Sequence, residues 1–194
     1  MEQREEGHKM SDPLCDNPLN LVLEDPYYPK GEMAPVPREC SRGIIINDKG
    51  EIALHHVHRN DKYGDSIYYE LPGGGAENEE KPFEALQREV DEEMGYSIEE
   101  ICYLGEVLDA YNLSKRYNHH SFFLARISGE TRKHFVSAGD FLIKETPFFD
   151  RHEALELLRN QHEGGFEGLV KQRELPFLEL AVEILDKHPE IIGL

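Results

Sequence analysis

No stretch of this chain approaches the ~18 consecutive apolar residues that a membrane-spanning helix needs. Basic residues are scarce as well: 21 Lys and Arg stand against 39 Asp and Glu, a formal net charge of −18. A protein that tracks a nucleic-acid backbone needs a basic stripe, so no nucleic acid is expected as a partner. A small polyphosphate is not excluded, because a bound cation inverts the local field. Cysteine is sparse and scattered. Cys15, Cys40 and Cys102 form no CxxC pair, which excludes a zinc ribbon by spacing and reads as reduced thiols in a cytosol. The opening residues MEQREEGHKMSDP lack the apolar core of a signal peptide. The expectation is a soluble cytoplasmic protein, monomer or homodimer, whose 194 residues suffice for one domain plus extensions.

What the chain does have is a glycine-rich turn feeding a helix dense in glutamate. Gly73-Gly74-Gly75 is followed by Glu80 and then by the run Arg88 to Tyr96. Pro82 suits a first helical position, where its missing N–H costs nothing. Phe83, Leu86, Val90 and Met94 recur at helical spacing and predict one apolar stripe that packs on a core. Glu89, Glu92 and Glu93 stand at i, i+3 and i+4, so they share a face flanking that stripe. Like charges so placed repel one another, and stability alone does not account for them. A divalent cation removes the repulsion, and all-oxygen ligation suits Mg2+ or Mn2+. The competing reading is a solvated acidic face.

The organisation around this segment is α/β. Residues 1–40 are rich in Pro, Asp, Glu and Asn and read as a partly disordered extension, with Leu19 to Leu23 able to lay one strand on the domain. The β-branched run at 43–46, a turn at 47–50 and a return strand over 51–59 predict a hairpin. Residues 66–71 form a further strand ending at Pro72. Residues 101–111 and 121–127 read as strands separated by a polar loop, and 141–144 as a shorter one. A helix is predicted over 151–160, a linker over 161–165 and a final amphipathic helix over 175–187.

Written as spacings, the central segment is Gly74, five residues, Glu80, seven residues, then Arg-Glu-Val-x-Glu-Glu-x-Gly-Tyr. It resembles the signature of the Nudix hydrolases, G-x5-E-x7-R-E-U-x-E-E-x-G-U with U a bulky apolar residue. All seven fixed positions match; Val90 fits the first U, and Tyr96 is aromatic where an aliphatic residue is usual. At ~7% usage per residue type, seven positions coincide by chance at roughly one site in 10^8, relaxed ~100-fold by the Glu-rich composition. The resemblance covers residues 41–160 as a Nudix domain, with 161–194 a C-terminal helical extension packed on it. It implies an α/β/α sandwich around a mixed β-sheet and a metal-dependent pyrophosphohydrolase that cleaves a nucleoside diphosphate linked to another moiety. Glu89, Glu92 and Glu93 would be the metal ligands, with the backbone carbonyl of Gly73. Glu80 and Arg88 would be a supporting pair, the Arg fork holding carboxylates in register. Gly74 would let the backbone approach the phosphates.

Other residues carry two readings each. Several family members recruit a late acidic base, which Glu145 or Asp140 would supply; the alternative is an ordinary surface charge. Glu77 is a loop cap or a metal neighbour. Arg59 is a phosphate contact or a solvated strand end. Tyr69 stands where the family usually has tryptophan, beside the substrate. Tyr111 is placed near a tyrosine of the family's dinucleoside polyphosphate hydrolases, and it either stacks on a nucleobase or packs as a core aromatic. His55, His56, His58, His119 and His120 raise zinc, but no partner has zinc spacing. The family's substrate motifs for coenzyme A and NADH are missing, so the nucleotide is not defined. A ligand-sensing binding module without turnover is the alternative function; it is disfavoured by the intact carboxylates and by the absence of a basic helix-turn-helix. An isopentenyl diphosphate isomerase is disfavoured by the same intact box.

Overall fold

The β-branched run Gly43–Ile46 sits at the centre of the molecule because both of its faces are buried. In the computed structural model, which describes residues 14–61, 64–136 and 139–193, it ends strand β2 (Arg38–Ile46) of a six-stranded mixed sheet. The other strands of that sheet are β1 (Leu19–Leu23), β3 (Ile52–Ala53), β6 (Tyr96–Tyr111), β7 (Arg116–Glu130) and β9 (Phe148–Phe149). Their order is β1-β6-β7-β2-β3-β9, with β1 parallel to β6, β2 parallel to β7 and the remaining pairs antiparallel. A second, three-stranded sheet runs β5-β4-β8, from β4 (His55–Asp61), β5 (Gly64–Glu70) and β8 (Ile143–Glu145).

Period-two alternation divides the large sheet between two layers of helix. Ile45, Phe123 and Ala125 face helix α1 (Pro82–Met94) and pack with its Leu86, Val90 and Met94. Ile44, Ile46, Phe122 and Leu124 face the other way, into a larger cluster with α2 (Arg151–Arg159) and α3 (Gly165–Lys187). Phe122 and Phe177 are fully buried there, stacked with ring centroids 3.9 Å apart. This is the α/β/α sandwich that the resemblance implied.

Several features differ from the sequence reading: the strand expected over 141–144 is a 3-10 turn at Asp140–Leu142 followed by β8, and the strand expected from 101 begins at Tyr96. The return strand over 51–59 is two strands in two sheets: buried Leu54 lies between β3 and β4, and its N–H donates to Pro147 O at 3.2 Å. The polar loop after Tyr111 is a four-residue turn only, because Asn112 is tied into the N-terminal segment through Asp25 and Tyr28, and β7 begins at Arg116. The final helix starts at Gly165, ten residues earlier than expected, and runs through Pro176. The cysteines are not all free thiols: β1 lies alongside β6 and brings Cys15 into a disulfide with Cys102, with Cα atoms 6.2 Å apart, leaving buried Cys40 as the free cysteine among the described residues. Of the expected N-terminal extension, the strand at Leu19–Leu23 is present, and residues 1–13 lie outside the described residues.

Candidate active site

Helix α1 starts at Pro82, with the Lys81 N–H donating to the Glu84 carboxylate at 3.1 Å. Its apolar stripe fixes its rotation on the sheet, and the stripe's flank then carries Glu89, Glu92 and Glu93 into one cavity of about 400 Å³. The floor on that side is the loop Gly73–Gly75, laced to β2: Ser41 N donates to Gly74 O at 2.8 Å and Gly43 N to Pro72 O at 3.0 Å. Gly73 has φ of +125°, and a Cβ there would meet Ser41 O at 2.2 Å. At Gly74 a Cβ would lie 2.5 Å from Glu89 Oε1, so the carboxylate rests directly on the backbone.

The three glutamates are held differently. Glu93 Oε2 accepts from the Gly73 N–H at 3.2 Å and lies 2.9 Å from His55 Nε2. The other nitrogen of His55 lies 2.8 Å from Thr146 Oγ1, and the imidazole is fully buried. Arg88 Nη1 reaches Glu89 at 3.1 Å and Glu92 at 3.5 Å, while its Nε and Nη2 fork onto Glu80 at 2.9 and 3.1 Å and Nη2 also donates to Gly75 O at 2.8 Å. Arg88 thus ties the loop, Glu80 and two of the acidic side chains together. Burial, and next the charge of Glu93, push the Glu89 carboxyl up to about 7. Burial also raises Glu92, aided by Asp140. The hydrogen bond from Arg88 holds Glu80 low. Among the described residues no three side chains are already drawn together in a ligand cage. The donor set nevertheless suits a hard divalent cation: carboxylate oxygens, two of them on largely buried groups whose charges oppose each other.

Of the other residues singled out in the sequence, Arg59, Tyr111, Glu77 and Asp140 line the same cavity. The Arg59 guanidinium lies 4.0 Å from the centroid of Phe166. Tyr111 is only 6% exposed; its hydroxyl accepts from Arg173 Nη1 at 2.7 Å and its ring meets Phe166 edge-on. His120 lines it as well, whereas Tyr69, Glu145, His55, His56, His58 and His119 are not in its lining. Tyr69 stacks on His56 and meets the edge of Phe149 on the far face of β5, because alternation turns Tyr68 and Glu70 to the cavity instead. Glu145 is largely exposed on β8, 3.4 Å from His56. His119 bridges Glu39 and Glu106 at 2.8 and 3.1 Å, outside the cavity lining. The sequence reading did not pick out Arg38, Arg42, Arg116, Asn118 or Arg173 as lining residues. Arg173 had a signal: it occupies the inward stripe of α3, one turn before Phe177, where an apolar residue is expected.

Comparisons with known proteins bear on the family and the fold. The sequence model of the NUDIX domain matches residues 37–168. No curated protein sequence matches the chain. Among solved structures, a NUDIX hydrolase from Nitrosomonas europaea superposes with a TM-score of 0.58 at 18% identity, covering 76% of this chain and 90% of that one. A MutT protein from Methanosarcina mazei Go1 gives 0.54 at 20% identity, over 77% and 97% of the two chains. An ADP compounds hydrolase gives 0.56 at 17% identity, over 81% and 77%. At such identities the likeness is one of fold.

Proposed function

Since this chain belongs to the NUDIX family and is a hydrolase of that family, we propose that it is a divalent-metal-dependent pyrophosphohydrolase acting on a nucleoside diphosphate linked to another moiety. One observation carries the reading: the three glutamates of the motif open from α1 into a single cavity against the Gly73–Gly75 loop, where burial and mutual charge hold Glu89 up at about 7. Such an arrangement is unfavourable without a cation and favourable with one.

Glu89, Glu92 and Glu93, with the Gly73 carbonyl, would hold Mg2+ or Mn2+. The ion would neutralise phosphoryl oxygens and make water a better nucleophile at neutral pH. The chain's own residues do the positioning. His55 and the Gly73 amide fix the rotamer of Glu93. Arg88 clamps Glu80 and the loop, so the floor under the diphosphate does not shift. Water attacks one phosphorus, the bridging P–O bond breaks, and the products are a nucleoside phosphate and the phosphorylated remainder, which is pyrophosphate when the substrate is a triphosphate. The ADP compounds hydrolase of the same fold is consistent with this substrate class. The test is chromatographic detection of the nucleoside phosphate and its co-product, over a panel of nucleoside triphosphates, dinucleoside polyphosphates, ADP-ribose and nucleotide sugars. Turnover should require Mg2+ or Mn2+ and vanish in EDTA; turnover that persists in excess chelator overturns the proposal.

A further inference from the structure

We propose that the cavity contains a second, metal-independent anion subsite, built from Arg116 and Arg38 over a base of Arg173 and His120, which binds a non-scissile phosphate group of the substrate. This rests on the hydrolase reading for the word substrate, but not for the site itself.

The sheet changes character along one face. Ile44 and Ile46 on β2, and Phe122 and Leu124 on β7, lie under α3 as core. At period two toward the strand starts, the same face continues as Arg42, Cys40 and Arg38 on β2 and as His120, Asn118 and Arg116 on β7. Arg38 is paired with Asn118 in parallel register, so Arg38 and Arg116 stand on that face close together. The covering helix changes in step: Phe177 covers the apolar part, and Arg173, one turn earlier, lines the cavity. Arg173 lies outside the residues that match the family, whereas Arg38, Arg42, Arg116 and His120 lie within them.

The arginines divide into two kinds. Arg173 and Arg42 are already committed. Arg173 donates to Tyr111 and Glu174 and lies 3.8 Å from Asp109, and Arg42 donates to Leu71 O at 2.8 Å beside Glu70 and Glu174. They make a rigid base. Arg116 and Arg38 have no carboxylate within ion-pair distance among the described residues, yet both line the cavity. Several groups there are buried without a close hydrogen-bond partner: Nε of Arg116, Arg173 and Arg42, and the ring of His120, which burial holds neutral so that it offers one N–H donor, with its Nε2 3.5 Å from Asp109. Buried unsatisfied donors are costly, and their concentration on one wall calls for a group with several acceptors. A phosphate provides them, and planar guanidinium forks match its oxygens two at a time. In a chain of net charge −18, the half-buried Arg116 and the exposed Arg38 at the rim put two arginines without a carboxylate partner, among the described residues, at one cavity.

The test is calorimetric titration of inorganic phosphate into the full-length protein in EDTA, at constant ionic strength. Saturable binding is expected, weakened at least tenfold in Arg116→Gln and retained within about twofold in Glu92→Gln. Arg38→Gln, at an exposed strand start, provides a second variant, and melting temperatures confirm that each variant is folded. Absence of saturable binding, or binding unchanged in both arginine variants, overturns the subsite. So does loss of binding in Glu92→Gln with the arginine variants intact, since the anion would then sit at the glutamates. Because no metal and no turnover are involved, a failed nucleotide screen leaves this result standing, and the reverse also holds.

Discussion

Glu93 is held by His55 and by the Gly73 amide, whereas among the described residues Glu92 is tied through Arg88 at 3.5 Å. Glu92→Gln or Glu93→Gln should lower kcat by at least ~10^2, since each removes charge that a cation and the transition state require. Glu145→Gln, an exposed partner of His56, should leave kcat within about twofold on the same scale; steady-state kinetics on the three variants checks both statements. Glu89 gives a pH prediction whose sign is fixed. Its carboxyl sits at about 7 in the fold, against ~4.3 for a free glutamate. Between those values the folded chain holds a proton that the unfolded chain has lost, so this group's contribution to stability falls as pH rises through the window. A bound cation takes the proton's place. The Tm increase produced by Mg2+ should therefore be larger at pH 8 than at pH 5, and equal increases would remove Glu89 from the ligand set. Tyr111 is under different pressure. Its hydroxyl is the acceptor for buried Arg173, so Tyr111→Phe leaves that donor unpaired and should cost about 1–3 kcal/mol in denaturant unfolding. An unchanged unfolding free energy would mean that the hydroxyl is dispensable and that the ring alone matters.

Among the elements, α1 was legible almost residue by residue. Its N-terminal Pro82, its apolar stripe and its acidic flank are all local signals, and tertiary packing only had to choose what lay beneath the stripe. Helix α3 was not. Residues 166–174 mix charged residues with Phe166, Gly168, Leu169 and Val170, and Pro176 disfavours a helix running through it from upstream, so the helix is expected only from 175. In the fold, burial of Gly168, Leu169, Val170 and Arg173 against the sheet carries the helix past the proline. The split of β3 from β4 was invisible for a related reason: Leu54 alternates correctly for one continuous strand, and only the contact with Pro147 moves the chain into a second sheet. The acidic half of the candidate site was therefore readable, because it lies within one helix and one loop. The basic half was not, because it comes from three elements that meet only in three dimensions. Phe177 anchors that meeting. Phe177→Ala removes a fully buried ring stacked on Phe122 and should destabilise the protein by about 3–5 kcal/mol. A loss under ~1 kcal/mol, the scale of a solvent-facing site, would mean that α3 docks only weakly.

At the scale of the whole molecule, the Cys15–Cys102 disulfide closes a loop of 87 residues and staples the N-terminal segment to β6. Loop-closure entropy for that length is worth about 4–5 kcal/mol. Reduction by dithiothreitol should lower Tm, and Cys15→Ser should reproduce the reduced value; a Tm indifferent to both would show that β1 holds its place by strand pairing alone. The sheet order has a consequence for how the chain is made. β2 finds its parallel partner about 80 residues downstream, as in the Ser41–Ser121 contact, and β1 waits as long for β6. At roughly 5–20 residues per second on the ribosome, the central strand emerges several seconds before β7 exists, with only its last residue, Ile46, paired to nearby β3. During that interval Gly43–Ile46 presents an open β-branched edge on the side that β7 later covers, the kind that seeks other edges. Arg38, Glu39 and Arg42, which flank it on the upstream side, then act as charged gatekeepers for a nascent chain long before two of them line a cavity.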